Sequence, residues 1–345
     1  MPSSTSNSND RIPACPYGRF WFLVLFMCLA LLVVEEGAFR IRGYFPTLND
    51  TRELWAYWRG RVYTSKGRRR IVIIGASRAQ LGIVPEVLEQ EFPQYDVVHL
   101  AIDGTGCYAA LEDLANDPQF DGVVLCSFHP TIVSPSRLDD QRGHIEYYRN
   151  NRMSLNRTVN LRLSCMVQGH VCVMDSYDNP KYILQGILRK RSHDVPCIRT
   201  QFNRYRQAFY HARRNSEQLA NMRASRLTAG RELLRNSEQP IDAFLEAVDQ
   251  QIVPLCRMMF AKQGAVIFLR MPESGEYWDE TNRVFPKEMY WDKFAERCPA
   301  PAIHFLDYPS LSKFTCPEGS HLDYADAVQF TRTLSRIIIE SGCLP

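Results

Sequence analysis

The sequence predicts an α/β fold, a three-layer α/β/α sandwich around a mostly parallel five-stranded sheet. Short apolar segments rich in β-branched residues alternate with helical patterns toward both ends of the chain. These segments show no polar alternation, which is typical of strands that are buried on both faces of a parallel sheet. The predicted strands are 71–74, 97–102, 122–128, 265–270 and 302–307.

The N-terminus predicts a membrane anchor. A polar tail (1–19) precedes an uncharged apolar segment, 20–34. As a helix this segment spans only about 22 Å, so flanking residues must contribute if it is to cross a hydrocarbon core of about 30 Å. Glu35 and Glu36 follow directly, without a small-residue cleavage pattern, which favours an anchor at 20–36 over a cleaved signal peptide. The short tail favours a cytoplasmic N-terminus and an extracytoplasmic main domain, periplasmic or at the cell surface.

Composition excludes some classes of partner. The chain of 345 residues is 45% hydrophobic and has a net charge of +3, so it is globular and carries no overall field that would indicate nucleic-acid binding. None of its 11 cysteines has zinc-ligand spacing, and we expect neither metal nor cofactor. In an oxidising compartment, the pairs Cys165 with Cys172 and Cys298 with Cys316 are candidates for disulfides.

Four regions follow from these patterns: the tail, the anchor, a juxtamembrane segment (37–67) and a main domain (68–345). The juxtamembrane segment contains an amphipathic helical pattern at 52–63. Within the domain, an arginine-rich insertion at about 131–240 shows no convincing strand and is predicted to be helical. Its arginines are interpreted as a solvated helix face rather than a basic cap over a site. Further helices are predicted from residue 78 and at 108–115, 242–264, 287–297 and 324–341, with a loop at 271–280.

Candidate catalytic residues lie where the predicted strands end, the edge of a parallel sheet at which ligands bind. Ser77 follows the first strand and opens a helix, while Glu318 and His321 share a tight turn before the last helix. A serine hydroxyl becomes a nucleophile when a histidine takes its proton and a carboxylate orients that histidine. The backbone N–H groups of Ser77 and of Gly104 or Gly106 are candidates for binding an oxyanion, Gly104 being the preferred one.

Two short segments resemble the SGNH (GDSL-type) hydrolases. Residues 73–77, IIGAS, are similar to the block that carries the family's serine, and residues 318–322, EGSHL, to the block that carries its histidine. The resemblance covers roughly 70–130 and 260–342 and is strongest to membrane-anchored bacterial members similar to alginate-acetylation and D-alanyl-transfer accessory proteins. It implies a flavodoxin-like topology, no cofactor, and ester hydrolysis or acyl transfer. It also implies an acylated carbohydrate or other ester as substrate and a membrane-bound acyl donor as partner.

The sequence departs from the family's pattern at three points. Ala76 stands in place of an acid, Glu318 in place of an aspartate, and residues 126–129 lack the asparagine that donates to the oxyanion. Loss of one such donor typically slows a reaction by about a hundred- to a thousandfold. Ser127, His129 and Arg270 are candidates to replace that donor. Asp323 is the alternative to Glu318 for orienting the histidine.

Two alternatives remain at the level of sequence. The missing asparagine also fits a non-catalytic binding or assembly protein with the same fold. The other, less favoured, is a nicotinamide-dependent oxidoreductase of the short-chain dehydrogenase type, in which Tyr177, Lys181 and Ser164 would act together. Against it, Ala79 stands where the phosphate-binding turn needs glycine, and Pro180 interrupts the helix that must present Tyr177 and Lys181 on one face.

Overall fold

The computed structural model describes residues 17–63, 67–151, 153–174 and 195–344. Five parallel strands form one sheet in the order β2-β1-β3-β6-β7, and β4 and β5 form a separate antiparallel hairpin. The strands are β1 (Arg69–Ile74), β2 (Tyr95–His99), β3 (Val123–Ser127), β4 (Ile198–Thr200), β5 (Arg206–Ala208), β6 (Ala265–Arg270) and β7 (Ala302–His304). The α/β class and the five-stranded parallel sheet are therefore as predicted.

The described helices connect these strands. They are α1 (Tyr17–Ile41), α2 (Arg52–Gly60), α3 (Ser77–Gly82), α4 (Pro85–Glu91), α5 (Tyr108–Ala115), α6 (Arg142–Asn150), α7 (Leu155–Gln168), α8 (Tyr210–Arg213), α9 (Ser216–Ser237), α10 (Ile241–Ala247), α11 (Val253–Ala261), α12 (Glu276–Val284), α13 (Lys287–Arg297), α14 (Pro309–Ser312) and α15 (Tyr324–Glu340).

Both faces of the sheet are covered by apolar packing. In β1, Val72 and Ile74 belong to one buried cluster with residues of α5, α10, α11 and α13. Ile71 and Ile73, which point to the opposite face, belong to a second cluster with residues of α3, α4 and α15. All four side chains are at most 3% exposed. Burial on both faces explains why the strand sequences lack polar alternation.

The order of the strands reverses at β1, because the chain passes from β1 to β2 on one side and then to β3 on the other. Such a reversal opens a crevice beyond the carboxyl ends of the strands. Gly75 follows β1 there with φ +143°, and a Cβ on it would lie 2.7 Å from the Cβ of Ser127 at the end of β3. Only glycine allows the two strand ends to approach so closely.

The N-terminal helix α1 is long and apolar enough to cross a membrane. Its 25 residues rise about 37 Å, more than the hydrocarbon core of about 30 Å. The side chains of 20–34 are largely exposed, whereas Phe39 near the end of the helix is buried. The end of α1 is therefore attached to the folded body.

The segment after α1 packs onto the body as well. Trp55 of α2 is 1% exposed, and its indole N–H donates to the Leu100 carbonyl at 3.0 Å. Arg59 donates to the carboxylates of Asp113 and Asp117 at 2.7 and 2.8 Å. Residues 52–60 thus form the amphipathic helix that the sequence predicts, held by its apolar and its charged contacts.

The insertion is not entirely helical, which corrects the prediction for 131–240. The hairpin of β4 and β5 lies within it, and each strand has only three residues. Their sequences, IRT and RQA, contain no apolar run, so a search for apolar segments could not detect them. Pairing with each other, rather than burial in the sheet, defines these strands.

Three element boundaries also differ from the prediction, for local reasons. The helix predicted at 242–264 is interrupted by a π-helical turn, Val248–Ile252, next to Pro254, which lacks the N–H that an α-helix needs. The last strand ends at His304 and not at 307. The Nδ1 atom of His304 accepts the Leu306 N–H, and a 3₁₀ turn begins there. The loop predicted at 271–280 ends early, since α12 begins at Glu276.

The predicted disulfide pairs are not bonded. Among the described residues, Cys165, Cys172, Cys298 and Cys316 form no disulfide. The sulfur of Cys298 lies instead 3.8 Å from that of Cys256, because packing of α11 against the end of α13 brings them together. Proximity of cysteines along the chain was a poor guide to proximity in the fold.

Gly75→Ala is expected to destabilise the protein by about 2 kcal/mol or more, because the new methyl group meets Ser127 and the backbone must adopt a conformation strained for alanine. Urea unfolding of the detergent-solubilised chain measures the change. Gly60→Ala is the control, since Gly60 ends α2 and its nearest contact would be 3.8 Å away. An unfolding free energy of Gly75→Ala equal to that of Gly60→Ala would contradict this account of the strand ends.

Candidate active site

The hydroxyl of Ser77 and the imidazole of His321 meet although 244 residues separate them. Ser77 is the first residue of α3, and its Oγ donates to Nε2 of His321 at 2.8 Å. A buried hydrogen bond joins the two segments: Thr331 Oγ1 of α15 accepts the Val84 N–H at 3.0 Å and lies 3.2 Å from the Gly82 carbonyl oxygen. Packing of α15 on α3 and α4 therefore sets this contact.

A buried carboxylate lies on the other side of the imidazole. Nδ1 of His321 donates to Oε1 of Glu318 at 2.8 Å, and Ser320 Oγ donates to the same oxygen at 3.1 Å. Gly319, with φ +101°, makes the turn tight enough to present both side chains to one another. With a proton held on Nδ1, the ring presents its Nε2 lone pair to the serine hydroxyl. This is the hydrogen-bonding order of a catalytic triad.

Arg226 of α9 supplies a cation to that carboxylate. Its Nε donates to Oε2 of Glu318 at 2.8 Å, while Glu318 is 1% and Arg226 40% exposed. Burial alone would raise the pKa of Glu318, but the attraction and hydrogen bonds of His321 and Arg226 outweigh it and lower the pKa to about 2. Glu318 is therefore ionised at neutral pH and stabilises a proton on His321.

Ser77 and His321 open onto a cleft of about 130 Å³ beyond the carboxyl ends of β1, β2 and β3. Asp103 lies at its rim; burial would raise the pKa of this carboxyl, but the nearby Arg206 lowers it. The cleft is lined by Ala76, Ser77, Arg78, Asp103, Gly104, Thr105, Ser127, His129, Thr131, Ile132, Arg137, Arg226, Leu233, Tyr277, Ser320 and His321. A cleft of this size and polarity fits a small polar group at the serine.

Two residues that line this cleft, Ser77 and Gly104, carry the backbone N–H groups that are candidate oxyanion donors. Ser77 is in the first turn of α3, where N–H groups lack intrahelical acceptors. Gly104 lines the cleft with φ +73°, and a Cβ on it would have no neighbour within 4 Å. Gly106, the other glycine considered, donates its N–H to Asp140 at 2.8 Å. The structure therefore favours Gly104 over Gly106 for this role.

His129, at the end of β3, lines the same cleft as a neutral donor. Its Nδ1 accepts the Thr131 N–H at 3.2 Å and lies 2.9 Å from the Thr131 hydroxyl, so the ring proton is assigned to Nε2 with Thr131 as the donor in both contacts. Burial and the nearby Arg270 and Arg78 hold the pKa of His129 well below its usual value. Nε2 lies 3.8 Å from the Glu273 carboxylate, beyond hydrogen-bonding distance. The imidazole is thus assigned an N–H donor that follows the end of β3.

Arg270 is held away from the cleft by a buried ion-pair network. Its Nη2 donates to Glu273 at 2.8 Å, and Arg78 bonds to the other oxygen of Glu273 at 2.5 Å. Burial would raise the pKa of Glu273, but the two guanidinium groups lower it. Two cations on one anion leave one net positive charge beside the start of α3. The role predicted for Arg270 as a direct oxyanion donor is not supported by this position.

Asp323, the alternative partner for the histidine, performs a different task. Its carboxylate caps α15 by accepting the Ala325 N–H and accepts the His211 N–H, both at 3.1 Å. Glu318, rather than Asp323, accepts the hydrogen bond from Nδ1 of His321.

Sequence reasoning missed the role of α9. Two of its arginines, three residues apart, contact the turn that carries the histidine: Arg223 donates to the Pro317 carbonyl at 2.7 Å and Arg226 to Glu318. The sequence led us to interpret the arginines of the insertion as a solvated helix face. The spacing of Arg223 and Arg226, three residues apart and so on one side of a helix, is the signal that could have indicated a shared contact.

Searches against known proteins add no relative. No protein-family model matches the chain, and neither does any curated protein. The features that indicate a function are therefore the geometry of the site and the sequence blocks at 73–77 and 318–322.

Arg226→Gln is expected to slow reaction of Ser77 with a fluorophosphonate probe by about three- to tenfold, because Glu318 loses a charged donor that is partly exposed to solvent. Gel-based labelling rates at pH 7 measure the effect. Arg231→Gln is the matched control, since this arginine of α9 pairs with Glu280 instead. Equal slowing in both variants would mean that α9 acts only through general packing.

Proposed function

We propose that this protein is a membrane-anchored, SGNH-like serine esterase or O-acyltransferase that acts on an extracytoplasmic ester or polysaccharide. The observation that carries the proposal is the chain of hydrogen bonds from Ser77 through His321 to Glu318, with both links at 2.8 Å. The blocks IIGAS and EGSHL support it, since they supply these three residues. The covered sheet and its strand order support the finer fold proposal, a three-layer, flavodoxin-like α/β/α sandwich.

In the proposed mechanism, Nε2 of His321 takes the proton of Ser77 as Oγ attacks the ester carbonyl. Glu318 stabilises the imidazolium, and the N–H groups of Ser77 and Gly104 bind the oxyanion. The intermediate collapses when His321 gives its proton to the leaving alcohol, and an acyl-serine remains. Water or a sugar hydroxyl then attacks the acyl group, with His321 again taking the proton. Hydrolysis or transfer follows from which of the two acceptors occupies the cleft.

The third donor to the oxyanion is assigned to His129. His129 follows β3 and lines the cleft together with Ser127, whereas Arg270, at the end of β6, is engaged by Glu273. The net positive charge of the network formed by Arg78, Glu273 and Arg270 also favours negative charge at the start of α3. These features compensate for the missing asparagine.

The setting follows from α1. With this helix in a membrane, the attached main domain works close to the bilayer surface, and an extracytoplasmic location of that domain is part of the proposal. An ester-bearing cell-surface polymer and a membrane-bound acyl donor are the partners that fit this setting.

A non-catalytic binding or assembly protein is the second candidate. The observation in its favour is the replacement of the asparagine by the sequence CSFH at 126–129. The dehydrogenase alternative has less support: Tyr177 and Lys181 lie outside the described residues, and Ser164 is on α7, which packs on α2 away from the cleft.

Exposure of the full chain to a fluorophosphonate probe is expected to label Ser77, because His321 activates its hydroxyl. Ser77→Ala should abolish labelling, and His321→Ala should slow it by about a hundredfold or more. Peptide mass spectrometry identifies the modified serine. Ser136→Ala, an exposed serine outside the triad, should label as the unchanged protein does. A folded chain that is not labelled at Ser77 supports the non-catalytic alternative instead.

His129→Ala is expected to slow labelling by about a hundredfold, the usual effect of losing one oxyanion donor. His129→Asn should recover most of the rate, because an amide restores an N–H donor at this strand end. Thermal unfolding of both variants checks that the fold is kept. Equal loss in the two variants assigns His129 to packing, and unchanged rates in both would rule out its contact with the oxyanion.

A further inference from the structure

Helix α7 has an apolar stripe that faces solvent. Five of its apolar side chains are exposed. They are Leu155 (81%), Val159 (46%), Leu163 (52%), Met166 (55%) and Val167 (38%). At about 100° per residue these positions fall within an arc of about 120°, so they form one continuous face.

The opposite side of α7 attaches it to the body. Leu161 and Cys165 are buried in a small cluster with Leu48, Leu54 and Tyr57. The helix is therefore apolar on two separate faces, of which the described residues cover one. A second apolar face on a surface helix marks an interaction site.

The end of α7 lies at the boundary of the α1 membrane segment. The carbonyl of His170, two residues after α7, accepts from Arg40 at 2.7 Å, and the N–H of Cys172 donates to Glu36 at 2.7 Å. Glu36 is two residues past the uncharged segment 20–34, a rise of about 3 Å. The bilayer's polar region extends about 5–8 Å beyond the hydrocarbon core, so the turn after α7 lies at headgroup depth when α1 crosses the bilayer.

The charges around the stripe suit a lipid surface. Helix α7 contains Arg157 and Arg162 and no acidic residue. Beside the stripe, Met166 lines an apolar groove of about 460 Å³ that Arg162 and Arg199 also border. Basic residues that flank an exposed apolar face are typical of helices lying in the plane of a membrane interface, where anionic headgroups attract them.

We propose that α7 lies on the bilayer surface next to α1, with its apolar stripe among the headgroups and upper acyl chains. The proposal rests on the placement of α1 in the membrane under the proposed function, but not on the chemistry of Ser77. Two attachments then orient the main domain: α1 fixes its distance from the bilayer, and α7 fixes which side faces the lipid. A bilayer is favoured over a partner protein because the turn after α7 is hydrogen-bonded to Glu36 and Arg40, the residues that follow the membrane segment.

Site-specific photocross-linking in the full chain tests this placement. The photoreactive residue p-benzoylphenylalanine replaces Leu163 in the stripe, Ser164 on an exposed polar side of α7, or Leu25 in α1. Each variant is reconstituted in vesicles of phosphatidylcholine and phosphatidylglycerol and irradiated. Mass spectrometry then detects peptides that carry a phospholipid. Fluorophosphonate labelling of Ser77 in the same samples reports separately on the chemistry.

We expect phospholipid adducts at positions 163 and 25 and none above background at 164. Adducts at 25 alone would overturn the proposal, as would equal yields at 163 and 164. Cross-links from 163 to another copy of the chain would assign the stripe to self-association, and loss of adducts at 25 would remove the membrane boundary on which the placement depends. None of these outcomes alters labelling of Ser77, so failure here is distinguishable from failure of the catalytic proposal.

Discussion

The hydrogen bond between Ser77 and His321 depends on several parts of the fold at once. Ser77 is placed by the end of β1 and the close approach of Gly75 to β3, whereas His321 is placed by α15, which Thr331 ties to the segment after α3. Because a hydrogen bond tolerates only a few tenths of an ångström, both placements must be accurate together. The two apolar clusters supply that accuracy, since they hold the sheet between helices on either face.

Charge around the site is arranged in two separate buried groups. Glu318 lies between the imidazole of His321 and the guanidinium of Arg226, and their attraction keeps its pKa low despite burial. Beneath the cleft, Glu273 lies between two arginines, which leaves one positive charge in excess. The first group favours a proton on the imidazole and the second favours negative charge near α3. A reaction that separates charge between a histidine and an oxyanion benefits from both.

The sequence allowed much of the sheet and the core of the site to be predicted. Continuous apolar runs revealed all five parallel strands, and the local blocks around Ser77 and His321 identified residues that meet in space. Contacts that arise from long-range packing could not be predicted from local sequence patterns. The position of Arg226 over Glu318 depends on how the insertion docks, and the β4–β5 hairpin has no apolar signature. The roles of Arg226 and of the hairpin therefore depend on tertiary contacts that a local sequence pattern does not reveal.

Gly75 and Gly104 have different surroundings, and we therefore expect different residues to be acceptable at the two positions. At Gly75 any side chain would collide with Ser127, so we expect glycine at this position in every homologue that keeps the fold. Gly104 has a left-handed backbone but open space around it, and asparagine or aspartate tolerate that conformation. At Gly104 only residues that accept a left-handed backbone, such as asparagine or aspartate, are expected as replacements, whereas at Gly75 every side chain meets the end of β3.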